Sequence, residues 1–131
     1  MRYLLDTNAV IALLNDAQSK LARRVKKHKP SEICISSIVA HELYYGAFKS
    51  RRVEHNLAIV DGLRLEVLEF DKEDARQAGE IRAELTRHGM AIGPYDILIA
   101  GQVKSRDMTL VTRNTREFER VDGLRLVDWE K

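Results

Sequence analysis

Apolar residues fall in short blocks along this chain, and their spacing switches repeatedly between two modes. Tyr3-Leu4-Leu5, Ile33-Cys34-Ile35 and Thr109-Leu110-Val111-Thr112 are compact apolar runs closed by polar residues, the pattern of short buried strands. Residues 65–70, Leu-Glu-Val-Leu-Glu-Phe, interleave apolar and acidic positions and predict a third strand, and 124–129, Leu-Arg-Leu-Val-Asp-Trp, predicts a last one. Between these blocks the apolar positions recur every three or four residues, as in helices packed on one face.

Local chemistry sets the helix ends. Asp6, Thr7 and Asn8 are all capping types and introduce a short helix through Ala-Val-Ile-Ala-Leu-Leu. A basic helix over 17–28 carries Leu21 and Val25 as its stripe and stops before Pro30 and Ser31. Ser36 and Ser37 cap a helix over 38–48 with apolar cover from Ile38, Val39, Leu43 and Phe48, followed by another over 51–63. Asp71, with Asp74 three residues on, forms a capping box for a long helix buried through Ala75, Ala78, Ile81 and Leu85 and ended by Gly89. Gly93-Pro94 opens a further helix packed through Ile97, Leu98, Ala100, Gly101 and Val103. A turn of helix is predicted around Glu117 and Phe118.

Short apolar strands alternating with amphipathic helices predict an α/β fold with a central, mostly parallel sheet covered on both faces. At 131 residues, with no repeat and no Pro/Gly-rich linker, the chain reads as one domain, 1–131. Its 44% apolar and 32% charged residues exclude a disordered chain. No apolar run approaches 18 residues, no secretory leader is evident, and the lone Cys34 reads as core, so a cytoplasmic location is expected. The net charge is only +2, yet residues 20–29 hold six Lys/Arg and no acid, and Lys49-Ser50-Arg51-Arg52 follows. Such an arrangement admits a polyanion on one side, although a solvated helix face would have the same composition.

Open parallel sheets build their sites beyond the carboxyl ends of the strands. Asp6 ends the first strand, and Asn114 follows the fourth. Asp96 lies in the first turn of a crossover helix, at the same edge. Glu42 is about one and a half turns into its helix, about 7–8 Å along the axis, and its long side chain points back toward the helix start. Four polar groups distant in sequence are thus expected to meet in one cleft. Carboxylates beside a core repel one another unless a proton or cation joins them. Oxygen donors with no Cys or His cluster favour Mg²⁺, with Mn²⁺ as a substitute. Read singly, Asp6 and Asp96 are also ordinary capping or helix-dipole residues, Asn114 a turn residue, Glu117 a solvent-facing acid, and Tyr95 a core or surface ring.

Leu-Leu-Asp-Thr-Asn near the start, Ser-Ser-Ile-Val-Ala-His-Glu-Leu-Tyr-Tyr-Gly around Glu42, Gly-Pro-Tyr-Asp-Ile-Leu-Ile-Ala-Gly around Asp96 and Leu-Val-Thr-Arg-Asn-Thr-Arg-Glu-Phe around Asn114 resemble the PIN-domain ribonucleases, and among them the VapC toxins of bacterial toxin–antitoxin pairs. The resemblance implies a three-layer α/β/α sandwich and a Mg²⁺-dependent endoribonuclease. In it Asp6, Glu42 and Asp96 match the metal-binding acids, and Asn114 stands where many members carry a fourth acid. It further implies RNA as substrate, the anticodon stem-loop of initiator tRNA being the target of similar toxins, together with homodimerisation and silencing by a VapB-like antitoxin. Thr7 and Thr112 are candidate donors to the acids, and Arg113 and Arg116 candidate grips on the RNA backbone. Tyr44, Tyr45 and Phe48 exceed one buried stripe and suit a dimer seam or an antitoxin groove. Two competing readings are a different metal-dependent phosphoryl hydrolase and a non-catalytic module whose acids receive a partner's arginine.

Overall fold

Five strands, β1 (Tyr3–Leu5), β2 (Ile33–Ser36), β3 (Glu66–Leu68), β4 (Thr109–Val111) and β5 (Arg125–Val127), form one sheet in the order β3-β2-β1-β4-β5. This computed structural model describes residues 1–131. Every pairing is parallel, with Leu4 set against Cys34 on one side and Leu110 on the other. The central strands are buried throughout β2 and β4 and nearly so in β1, which is why they read as continuous apolar runs. The chain winds outward from β1 through β2 to β3, then returns to β4 on its other side. The strand order therefore reverses between β1 and β4, the place where such sheets leave a crevice at their carboxyl edge.

Seven helices cover the sheet: α1 (Thr7–Asn15), α2 (Lys20–Lys26), α3 (Ser37–Phe48), α4 (Val53–Asp61), α5 (Lys72–Arg87), α6 (Pro94–Ser105) and α7 (Thr115–Phe118). The expected caps form. Asp6 Oδ1 accepts from Ala9 N at 2.8 Å, Ser36 Oγ from Ile38 N at 3.0 Å, and Asp71 and Asp74 exchange a reciprocal capping box. Each such cap is worth about 1 kcal/mol. Leu4, Leu5, Val10, Ile35, Val39, Ile99, Leu110 and Phe118 are sealed in the core with Cys34, whose thiol burial pushes up to about 11. Thr112 hydrogen-bonds the backbone of Val127, so the last predicted strand is a true edge of the sheet.

Several local expectations need correction. The second helix is shorter, because Ser19 caps it and the residues before it are a turn. The fourth is likewise trimmed to Val53–Asp61, and the third strand to Glu66–Leu68. Ala75 is exposed; Asp74 takes the inward position, so the buried stripe of α5 runs Asp74, Ala78, Ile81, Leu85. Asp74 is held there by Arg106, at 3.0 and 3.2 Å, and by Gln102 Nε2 at 3.2 Å. Phe48 is 62% exposed because Val39, Leu43 and Ala47, four apart, already fill the inner face of α3. Helices α5 and α6 pack so tightly that a Cβ on Gly101 would lie 2.6 Å from Ala78. That approach fixes α6, and with it Asp96.

Candidate active site

Asp6 is both cap and candidate ligand. It is 5% exposed, and its Oδ1 is fixed by Ala9 N. Burial raises its pKa; a hydrogen bond from Thr112 and the one from Ala9 act against this, while Glu130 and Glu42 add repulsion. The buried Thr112 hydroxyl also accepts from Asn114 N at 2.9 Å, which leaves its proton directed at Asp6. Thr7, the first residue of α1, donates to Glu42 Oε1 at 2.8 Å across 35 residues of sequence. This bond joins the start of α1 to the middle of α3 and brings Glu42 to the edge where Asp6 lies.

Asp96 completes the group from the first turn of α6. Burial is the largest influence on it, followed by the charges of Glu117, Asp6 and Glu42, and together they push its pKa to about 6. Glu117 closes the cleft from α7. Its Oε1 accepts from Gly93 N and its Oε2 from Asn114 Nδ2, both at 2.7 Å, and these bonds hold its pKa down. Gly93 has a reason to lack a side chain here: a Cβ would sit 3.3 Å from Asp96 Oδ2 and 3.9 Å from Glu117 Oε1. Helix α6 has no side-chain cap, so the backbone N–H groups of Tyr95 and Asp96 also open on this edge.

Asp6, Glu42, Asp96 and Asn114 therefore reach one crevice, with Thr7 and Thr112 as the expected donors. Asn114 meets it through Glu117, which the sequence read singly makes a solvent-facing acid. Glu130 was missed; it follows β5 at the carboxyl edge, and the strand-edge rule would have found it. Arg113 and Arg116 are exposed beside β4 and α7 and form no ion pair. None of the protein's ion pairs involves Asp6, Glu42, Asp96 or Glu117 either; the charge of Arg120 acts on Glu117 alone and from beyond contact distance.

The donor set is all oxygen, and negative charge accumulates on it uncompensated. That fits a hard divalent cation better than Zn²⁺. No three acid, His or Cys side chains stand close enough together to hold a metal ion between them by themselves. Mg²⁺ does not need three: it keeps several waters and takes one or two carboxylates together with substrate phosphate oxygens.

The PIN domain family model matches residues 3–124. The chain is 47% identical over 131 residues to a tRNA(fMet)-specific endonuclease VapC of Salmonella typhimurium, covering 98% of each. The chain belongs to the VapC family of PIN domains. A Shigella flexneri protein, also a tRNA(fMet)-specific endonuclease VapC, is 44% identical over the same share of both chains. Among solved structures, DNA-bound VapBC from Salmonella typhimurium aligns with this VapC-family chain at a TM-score of 0.93 and 46% identity, covering 98% of each. The sheet and its flanking helices are thus the PIN architecture, and Asp6, Glu42 and Asp96 occupy its carboxyl-edge crevice.

Proposed function

We propose that this protein is the toxin of a VapBC-type pair, a Mg²⁺-dependent endoribonuclease that cuts structured RNA. The carrying observation is the convergence of Asp6, Glu42, Asp96 and Glu117 at the switch point between β1 and β4 with no basic side chain paired to them. The identity to tRNA(fMet)-specific endonucleases over nearly the whole chain supports the anticodon stem-loop of initiator tRNA as the target.

Asp6 and Asp96 are the residues that would hold the ion, together with Glu42; Mn²⁺ is the expected substitute. When bound, the ion supplies positive charge to the phosphate and acidifies a water. Glu42, oriented by the Thr7 hydroxyl, accepts the proton of the attacking water. The water oxygen bonds to phosphorus as the bond to the 3′-oxygen breaks, and the departing oxygen takes a proton from solvent, which leaves 5′-phosphate and 3′-hydroxyl ends. Glu117 and Asn114 hold the loop after β4 against Gly93 and keep Asp96 at its post. The N-termini of α1 and α6 face the same crevice, and their partial positive charge favours an incoming phosphate. Arg113 and Arg116 grip the RNA backbone at its rim, with the basic run 20–29 and Arg51-Arg52 as outlying contacts. A VapB-like antitoxin and a second copy of the chain are the expected protein partners. Tyr45 and Phe48, 61% and 62% exposed on α3, offer the apolar surface such partners need.

The deciding comparison is wild type against Asp6→Asn on a structured RNA, with Mg²⁺ and then with EDTA. Cutting confined to wild type with Mg²⁺, giving ends free of cyclic phosphate, is the expected result. Equal cutting by the variant, or in EDTA, overturns the assignment.

A further inference from the structure

His41 and Tyr95 come from different helices, α3 and α6, yet their rings meet with centroids 5.2 Å apart and planes tilted by 54°. Each precedes a site acid by one residue, Glu42 and Asp96 respectively, so each ring is rooted about 3.8 Å along the chain from a carboxylate-bearing Cα. Neither is core. Tyr95 is 45% exposed and His41 is also exposed. No hydrogen bond fixes the Tyr95 phenol, and its ring touches no other aromatic residue. A tilted pair of this kind leaves ring face open, because the edge-to-face contact occupies only one side.

We propose that Tyr95, propped by His41, is a stacking platform for one unpaired base of the RNA, set at the rim of the acidic crevice beside the phosphate that is cut. The proposal rests on the ribonuclease reading above. Bases splayed from loops are recognised by stacking on aromatic side chains, which tolerates any base and needs no hydrogen bond to a hydroxyl. Aromatic residues are only 6% of this chain, so it has no ring track for a long single strand. A single platform next to the acids selects a loop over a duplex, in which every base is already stacked on its neighbours. Tyr95 is the contacting ring, and His41 is a positioning residue that holds its angle.

The experiment takes a stem-loop RNA that the wild-type protein cuts and replaces its loop nucleotides one at a time with abasic sites. Steady-state cleavage is measured for wild type and for Tyr95→Ala, Tyr95→Phe, Tyr95→Leu, His41→Ala and His41→Phe, each first shown by circular dichroism to be folded. The alanine change at Tyr95 is expected to raise KM about fivefold to a hundredfold, the range of one lost base–ring stack. Phenylalanine restores KM and leucine does not. One abasic position raises the wild-type KM by the same factor, and combining it with Tyr95→Ala adds nothing further, since both changes remove one contact. His41→Ala gives a smaller rise that His41→Phe reverses. The platform is refuted if leucine serves as well as phenylalanine, if the two penalties multiply at every loop position, or if Tyr95→Ala alters antitoxin affinity alone. Failure of the wild type to cut any RNA would instead sink the ribonuclease reading itself.

Discussion

Replacing Asp96 with asparagine should abolish cleavage and, in metal-free buffer at pH 8, make the folded protein more stable. The carboxyl titrates at about 6 instead of its ordinary 3.8, raised first by burial and then by the charges of Glu117, Asp6 and Glu42. A raised value means that the native state holds this proton more tightly than the unfolded chain does. The resulting stabilisation is complete below pH 3.8 and is lost as pH rises through about 6. Above that the native protein carries a charge that the unfolded chain carries at less cost. A gap of about two pH units, at 1.36 kcal/mol each, sets a ceiling of about 3 kcal/mol. Asp96 is only partly buried, and solvent screening brings the expected difference to about 1–2 kcal/mol. The assay is urea denaturation of both proteins in EDTA at pH 8, 6 and 4. Comparing the two cancels the acids common to both, including those with lowered pKa such as Asp74 and Glu117. The asparagine protein should lead at pH 8, and its lead should shrink steadily toward pH 4. Added Mg²⁺ should then stabilise wild type and leave the variant nearly unmoved. A lead that is absent at pH 8, or that widens in acid, would refute the electrostatic account of the site.

Two further substitutions separate the site from its support. Gly93→Ala sets a Cβ 3.3 Å from Asp96 Oδ2, at a backbone angle that alanine adopts freely, so single-turnover cleavage should fall by about tenfold or more with less than about 1 kcal/mol lost in urea melts. Arg106→Met leaves Asp74 buried without its cation. It should cost about 3–5 kcal/mol at neutral pH, and the deficit should narrow in acid, where wild type loses the stability that its lowered Asp74 provides.

What the sequence disclosed follows from how far each signal reaches. Asp6 could be placed because a strand end and a helix cap are both local patterns. Asp96 could be placed because a parallel crossover must return its helix start to the carboxyl edge, and Glu42 because rise per residue and side-chain length fix its reach. The state of Asp74 was hidden. Locally it is the partner of Asp71 in a capping box, and only Gln102 and Arg106, 28 and 32 residues away, turn it into a buried anion. The partner of Glu117 was hidden likewise, since Gly93 stands 24 residues before it. On α3, Phe48 looked like cover because its size outweighed its phase; the smaller Ala47 has the right phase and is buried.

These hidden contacts explain why one acid in the crevice differs from the others. Asp6 is tied to Ala9 N and Thr112, Glu42 to Thr7, and Glu117 to Gly93 N and Asn114. Each of those bonds holds its carboxylate in one rotamer. Asp96 alone accepts no hydrogen bond, and burial first, then three neighbouring carboxylates, raise its pKa. Asp6 and Asp96 both carry the cost of assembling the cluster, and Asp96, which lacks a fixing bond, is held in place by the α5–α6 packing at Gly101 and by the Gly93–Glu117 contact. A cation placed against Asp96 would offset both its burial and the repulsion from Glu117, Asp6 and Glu42. The donors to Asp6, Glu42 and Glu117 come from Ala9, Thr112, Thr7, Gly93 and Asn114, none of which is itself an acid that the ion would draw on.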